Sequence, residues 1–432
     1  MKRIALILSL LFFTTGLFAQ KMKKFTASRE AYIKDLEDNL KETDIKKEVL
    51  DGFLMEFRAV WEGGGIDDKE AAQIYDISNN FLKKRVNGYE PWWNFLGSVM
   101  HFETNEKPEL LLPWLEDLGK FSSQKPARFT EDYVRTMYQT FKDYVLFDDG
   151  RIKWKVATGN YEFGYDGEPV FTFDVSDVWG YYKNDSTLIE GTKGLFYPKR
   201  YEFIGQGGNV YFVRAGLSED SARVTLANYK LNVTKTDFEA DSVKLTTLVF
   251  LKESLLGHFE EKLTSQSGRG GTFPRFSSYR KDITLKNIVP GADYTGGFSM
   301  IGSKFYGGGI DGTKAILRFS YDGREVVHAE AERFLLRLDK VESQETEVSV
   351  YMGEDSLYHP KVTLRFLPDQ KQLTIIRKNE GLGLTPFSDG FHKMDITFEV
   401  LTWKIDEPLM RMGNMNMGAE SPVVFESKQY FR

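Results

Sequence analysis

The sequence predicts an α+β protein with its two classes in separate regions: an N-terminal α-helical bundle followed by a large all-β region. Three observations carry this. Apolar residues recur at steps of three and four from Phe25 to about Phe147, the period changes to alternation beyond Asp148-Asp149-Gly150, and glycines then cluster between short alternating runs. The clearest alternation lies between Ala315 and Lys378, where ILRFSYDGREVV, EVSVYMGEDSLYHPKVTLRF and KQLTIIRK set apolar against charged side chains, broken by Asp322-Gly323 and Leu367-Pro368-Asp369.

At 432 residues the chain exceeds what one hydrophobic core usually serves, so more than one domain is expected. A hydrophobic content of 41% with 14% aromatic residues is that of a folded chain. The net charge of -6 comes from lysines and arginines scattered among acids. Nucleic-acid binding needs a concentrated basic surface, so that class is excluded.

Residues 1–19 read as a signal peptide: Lys2 and Arg3 precede an apolar run from Ile4 to Phe18, and Ala19 is a small residue suited to cleavage. An extracytoplasmic location is therefore expected. The chain holds no cysteine, which excludes disulfides and a lipid-modified N-terminal cysteine. No later run of eighteen apolar residues occurs, so no transmembrane helix is expected in the mature chain.

Residues 20–149 read as the helical domain. Ser28 is placed to cap a helix carrying Tyr32, Ile33, Leu36 and Leu40, and Val49, Leu50, Phe53, Leu54, Phe57 and Trp61 make the apolar stripe of a second. Gly63-Gly64-Gly65 ends it, and Asp67 or Asp68 opens a third through Ile74, Ile77, Phe81 and Leu82. Pro91, Pro108 and Thr130 mark three more starts. Six short helices with short connections make a compact bundle or a stack of hairpins. The aromatic residues read as core, and no repeat of fixed length is present.

Residues 150–432 read as β throughout. Gly205 to Gly208, Gly268 to Gly271 and Gly307 to Gly309 suit tight corners. Two arrangements fit: a β-solenoid or jelly-roll-like stack that climbs an axis through even, short strands, or two sandwiches dividing near 265–280, for which Asp322-Gly323 is a hairpin signal. The last segment, PVVFESKQYFR, has an apolar strand pattern, which predicts either an edge that meets a partner or a longer natural chain. Met410, Met412, Met415 and Met417 read as gap-filling core residues.

The stretches WKVATGNYEFGYDGEPVFTF, FIGQGGNVYFVRAGL, YKLNVTKTDFEADSVKL, FPRFSSYRKDITLKN and MGEDSLYHPKVTLRF resemble a group of very large exported proteins of Bacteroidota, with a helical N-terminal region followed by β-rich arrays and no assigned activity. The resemblance implies a gliding, adhesion or envelope setting. Asp185-Ser186, Asp220-Ser221, Asp241-Ser242 and Asp355-Ser356, each followed by a small or aliphatic residue, resemble the O-glycosylation acceptor of exported proteins in that phylum. Ser186, Ser221, Ser242 and Ser356 are thus candidate modified residues. An Asp-Ser pair also opens turns, because both side chains bond nearby backbone.

No catalytic spacing emerges. No G-x-S-x-G is present, and Ser356 and His359, three apart on a strand, point to opposite faces. His101, His258, His328, His359 and His392 form no two-histidine helical spacing, so neither a metal nor a cofactor is expected. Asp174, Asp177, Asp311, Asp389 and Asp395 sit near turns, but their spacing matches no calcium loop. Trp154, Trp179, Tyr181, Tyr182, Phe196 and Tyr197 form a candidate aromatic binding surface, since such rings stack on sugars; closing a domain joint is their other reading. The expectation is an exported, non-enzymatic envelope scaffold or adhesin, with an envelope protein or glycan as partner. A carbohydrate-binding or carbohydrate-active protein is the alternative, and a periplasmic lipid conduit the third.

Overall fold

The computed structural model describes residues 22–157, 159–265, 268, 270–308, 312–414 and 423–428. The expected signal peptide, Asp311, Met415 and Met417 lie outside them. The chain forms two compact units. The first is built on the helices and takes in the later segments Tyr161–Phe171 and Tyr197–Arg200; the second is the β region.

In the first unit, α1 (Arg29–Lys41), α2 (Lys47–Glu62), α3 (Asp68–Lys84), α4 (Glu90–Asn105), α5 (Leu111–Gln124) and α6 (Ala127–Asp143) follow the predicted stripes. Ser28 stands at the N-cap of α1, but its hydroxyl bonds Glu30 and not a helix amide. Asp67 caps α3 fully: its carboxylate accepts from the Lys69 and Glu70 amides, and Glu70 returns a bond to the Asp67 amide. The apolar stripes meet in an aromatic core, with Tyr32 stacked on Trp61 at 4.8 Å and Phe81 edge-on to Trp92 at 5.2 Å. Phe163 and Phe171, from the returning segment, close against Phe141.

The β unit is made of antiparallel strands that alternate between two sheets. From Arg275 onward one sheet pairs Arg275–Ser278 with Phe298–Ile301, then Lys304–Gly307 and Phe334–Leu336. The other pairs Ile283–Val289 with Ala292–Gly296, then Ala315–Tyr321 and Arg324–Ala331. Each hairpin therefore lies beside the hairpin before last, while the one between them builds the opposite sheet. The long strands Val341–Met352 and Asp355–Leu367 serve both sheets: Val341 pairs with Leu336 and Val350 with Val327, and register shifts around Thr346 bend the strand between them. Beyond them the chain splits again, into Gln372–Arg377, Val400–Lys404 and Met410–Gly413 on one side and Phe387–Asp389, Met394–Thr397 and Val424–Ser427 on the other.

The stack thus advances through antiparallel hairpins, and its strands are less even than expected. Pro169–Tyr182, Asp185–Tyr197, Val341–Met352 and Asp355–Leu367 run to 12–14 residues. The expected division near 265–280 is bridged, because Leu255–Lys262 pairs directly with Arg275–Ser278. Asp322-Gly323 makes the predicted hairpin turn, with φ of 50° and 74° at its two central residues.

Alternation places one face of each sheet inward, and the two inward faces interlock. Phe319 meets Phe366 edge-on at 4.7 Å, and the Tyr294 ring lies where a Cβ on Gly307 would be, at 2.5 Å. Two glycines predicted to form corners instead lie in strands beneath aromatic rings, Gly205 beneath Tyr229 and Gly307 beneath Tyr294, and Gly180 lies likewise beneath Trp154.

Candidate functional site

The β unit carries an open groove of about 610 Å³ where the bent strand Val341–Met352 parts from its neighbours. Strand alternation sends Glu345 and Glu347 outward, and the register sets Glu330 directly opposite Glu347. Two like charges facing across a ladder repel, and Lys314 relieves them: its Nζ is 2.8 Å from Glu347 and 3.9 Å from Glu330. Lys361 holds Glu345 at 2.9 Å, and Lys340 holds Glu342 at 2.7 Å. The ladder continues outside the groove, where His328 sits 3.1 Å from Glu330 and 2.8 Å from Glu325.

The lysines of the groove favour the ionised form of the carboxylates they bond. The Lys314 ammonium bonded to Glu347 holds that carboxyl below the usual carboxylate range, and Lys361 does the same for Glu345. Glycoside hydrolysis needs one carboxylic acid raised toward neutrality. Both shifts go the other way.

The six predicted aromatic residues do not form one surface. Trp154 and Phe196 are fully buried, and the Trp154 indole N–H donates to the Lys235 carbonyl at 3.0 Å. Tyr197 is buried in the helical unit, where its hydroxyl donates to Asp166. Burial of these large rings is worth more than exposing them, which corrects the predicted platform. Trp179 and Tyr181 do remain outward, their rings near-parallel at 14° with centroids 6.0 Å apart, opposite Lys155 and Lys153 on the neighbouring strand. Tyr182 is half-buried under the Lys183 ammonium.

The four Asp-Ser pairs lie apart, and three of the aspartates have structural work. Asp185 is buried against Arg214, and Asp241 accepts from His258 and Tyr279. Asp355 accepts from the Ser356 amide at 2.7 Å. Ser242 is exposed at a bulge with φ of 56°, its amide bonded to the Tyr279 hydroxyl. Ser186, Ser221 and Ser356 are half-buried, and Ser221 shares its hydroxyl with Ser218 at 2.7 Å.

Of the predicted turn carboxylates, Asp177 accepts from the Gly191 amide and Asp395 pairs with Lys428. Asp389 meets His392 and Asp355, and these three are the group that could hold a metal ion among the described residues. The spacing Asp389-Gly390-Phe391-His392 was a local signal for this. Asp355 comes from another strand, and only the fold supplies it.

His359 is buried, with Nε2 2.9 Å from the Thr385 carbonyl and Nδ1 accepting from the Lys361 amide. Burial lowers its pKa below the ordinary 6.5, and Arg377 adds to this against the Thr385 bond. The unfolded chain therefore binds a proton near pH 6.5 that the folded chain refuses. Stability is full above that pH and falls as pH drops through 6.5 toward the folded value, by up to about 1.4 kcal/mol per unit. Urea midpoints measured from pH 8 to pH 5 should show this slope, and His359→Gln should reduce it.

Compared with known proteins, the chain matches no family model, no curated protein and no solved structure.

Proposed function

We propose that this chain is an exported, non-enzymatic scaffold or adhesin-like protein of the cell envelope, whose β unit presents long outward faces to a partner. The observation that carries the reading is the groove's charge pattern: its shifted carboxyls are held ionised by lysines, as in a surface ladder. The interior of the stack is closed by interlocking rings, as Phe319 and Phe366 illustrate, which speaks against a lipid conduit. Among the described residues, the strand Val424–Ser427 pairs with Met394–Thr397, and Val424 and Phe425 are exposed, a surface suited to contact with another chain.

A carbohydrate-binding role has one specific support, the outward Trp179–Tyr181 pair with two lysines opposite, which suits an acidic sugar. One experiment separates the readings. The purified chain and its Glu347→Gln variant are incubated with a panel of polysaccharides while reducing ends are measured, and glycan retention is compared with Trp179→Ala. No release by either form is expected. Sugar release that Glu347→Gln lowers by about 100-fold or more would sink the non-enzymatic reading. Retention lost in Trp179→Ala would make glycan the partner.

A further inference from the structure

We propose that Asp355, Asp389 and His392 form a binding site for a divalent transition-metal ion of the zinc type. Their ligand atoms all lie within 4.8 Å of one another. Backbone amides fix one oxygen of each carboxylate: Asp355 Oδ1 accepts from Ser356 and Phe391 at 2.7 and 3.1 Å, and Asp389 Oδ1 accepts from His392 at 2.8 Å. The remaining oxygens both turn to His392 Nδ1, Oδ2 of Asp355 at 3.3 Å and Oδ2 of Asp389 at 3.2 Å.

Two physical arguments favour an ion at their centre. The first is charge. A single Nδ1 carries at most one proton and one positive charge, while two carboxylates converge on it, and Asp389 is only 5% exposed. A buried carboxylate is stabilised by a cation, which here would be shared between two acids. The second is distance. Tetrahedral bonds of about 2.0–2.1 Å from zinc to nitrogen and oxygen put neighbouring ligand atoms about 3.3 Å apart, which matches both contacts to Nδ1. The imidazole nitrogen selects against calcium and magnesium, which take oxygen. Three protein ligands leave a fourth position for water, and the His392 side chain is 56% exposed.

The proposal is independent of the envelope reading, and its test does not involve a partner. The tag-free, chelator-stripped full chain is titrated by calorimetry with Zn²⁺, and separately with Ca²⁺. One equivalent of Zn²⁺ should bind and Ca²⁺ should not. His392→Ala and Asp389→Asn should each weaken binding by more than the roughly 10–100-fold that follows loss of a mere supporting partner. Asp395→Asn, nearby and paired with Lys428, should leave it unchanged. Circular dichroism checks each fold, and the half-exposed His392→Ala decides the matter if Asp389→Asn unfolds. Absence of Zn²⁺ uptake, uptake that survives in His392→Ala, or binding of Ca²⁺ alone overturns the site.

Discussion

Replacing Arg214 with alanine is expected to cost about 3–5 kcal/mol, because it leaves two buried carboxylates without their cation. The Arg214 guanidinium forks onto Asp185 and reaches Glu261 at 2.5 Å, and the three side chains are only 7%, 3% and 1% exposed. The remaining acceptors are satisfied too: the Thr187 hydroxyl donates to Glu261 at 3.0 Å and the Thr264 amide to Asp185 at 2.8 Å. Burial already pushes Glu261 above its ordinary 4.5, with Arg214 opposing the shift. In the variant that opposition is gone, so folded Glu261 keeps its proton to a higher pH than the unfolded chain does. A carboxyl raised in the folded state contributes stability below its unfolded pKa and loses it as pH rises through the folded value. The deficit of Arg214→Ala should therefore be smaller at pH 5 than at pH 8 in urea unfolding followed by tryptophan fluorescence. Arg214→Lys should recover only part of it, since an ammonium cannot fork. A deficit under about 1 kcal/mol at pH 8 would place the triad among ordinary surface pairs.

The second large effect concerns the rings laid over strand glycines. Gly205 pairs in register with Tyr229, and a Cβ at 205 would lie 2.0 Å from the ring's Cζ. The ring cannot yield easily. It is 4% exposed, shares a hydroxyl bond of 3.0 Å with Thr192, and packs on Phe238 with centroids 5.8 Å apart. Gly205→Ala should thus cost about 1–3 kcal/mol through overpacking, and Tyr229→Ala about 3–5 kcal/mol through the cavity it leaves. Combined, the two should cost no more than Tyr229→Ala alone, because the new methyl enters space the ring has vacated. Simple additivity in the urea midpoints would mean that ring and glycine are not in contact.

These two sites differ in how far they could be read from residues alone. Glycine clusters announced a β region, yet nothing in the order of residues distinguishes Gly205, flat beneath a ring, from Gly207 in the same cluster, which takes a φ of 73°. Arg214, Asp185 and Glu261 are separated by long stretches and belong to different elements, so no local pattern joins them. Asp185-Ser186 drew attention as a modification motif, whereas its aspartate is half of a buried ion pair. Trp154 and Trp179 read alike in sequence because both are aromatic residues in alternating runs. Their strands pair in register, and the alternation of each sends one ring inward and the other out.

The residues alone determined the two classes of structure and where one gives way to the other. Steps of three and four, and then steps of two, state which face each element must bury, and helix stops such as Gly63-Gly64-Gly65 are written locally. Tertiary structure decided which hairpin pairs with which, since every strand here is competent to pair with any other of matching face. It also decided that Tyr161–Phe171 folds with the helices and that Asp355 meets Asp389 and His392. Those outcomes depend on contacts between distant segments, and their energies exist only once the chain has brought the segments together.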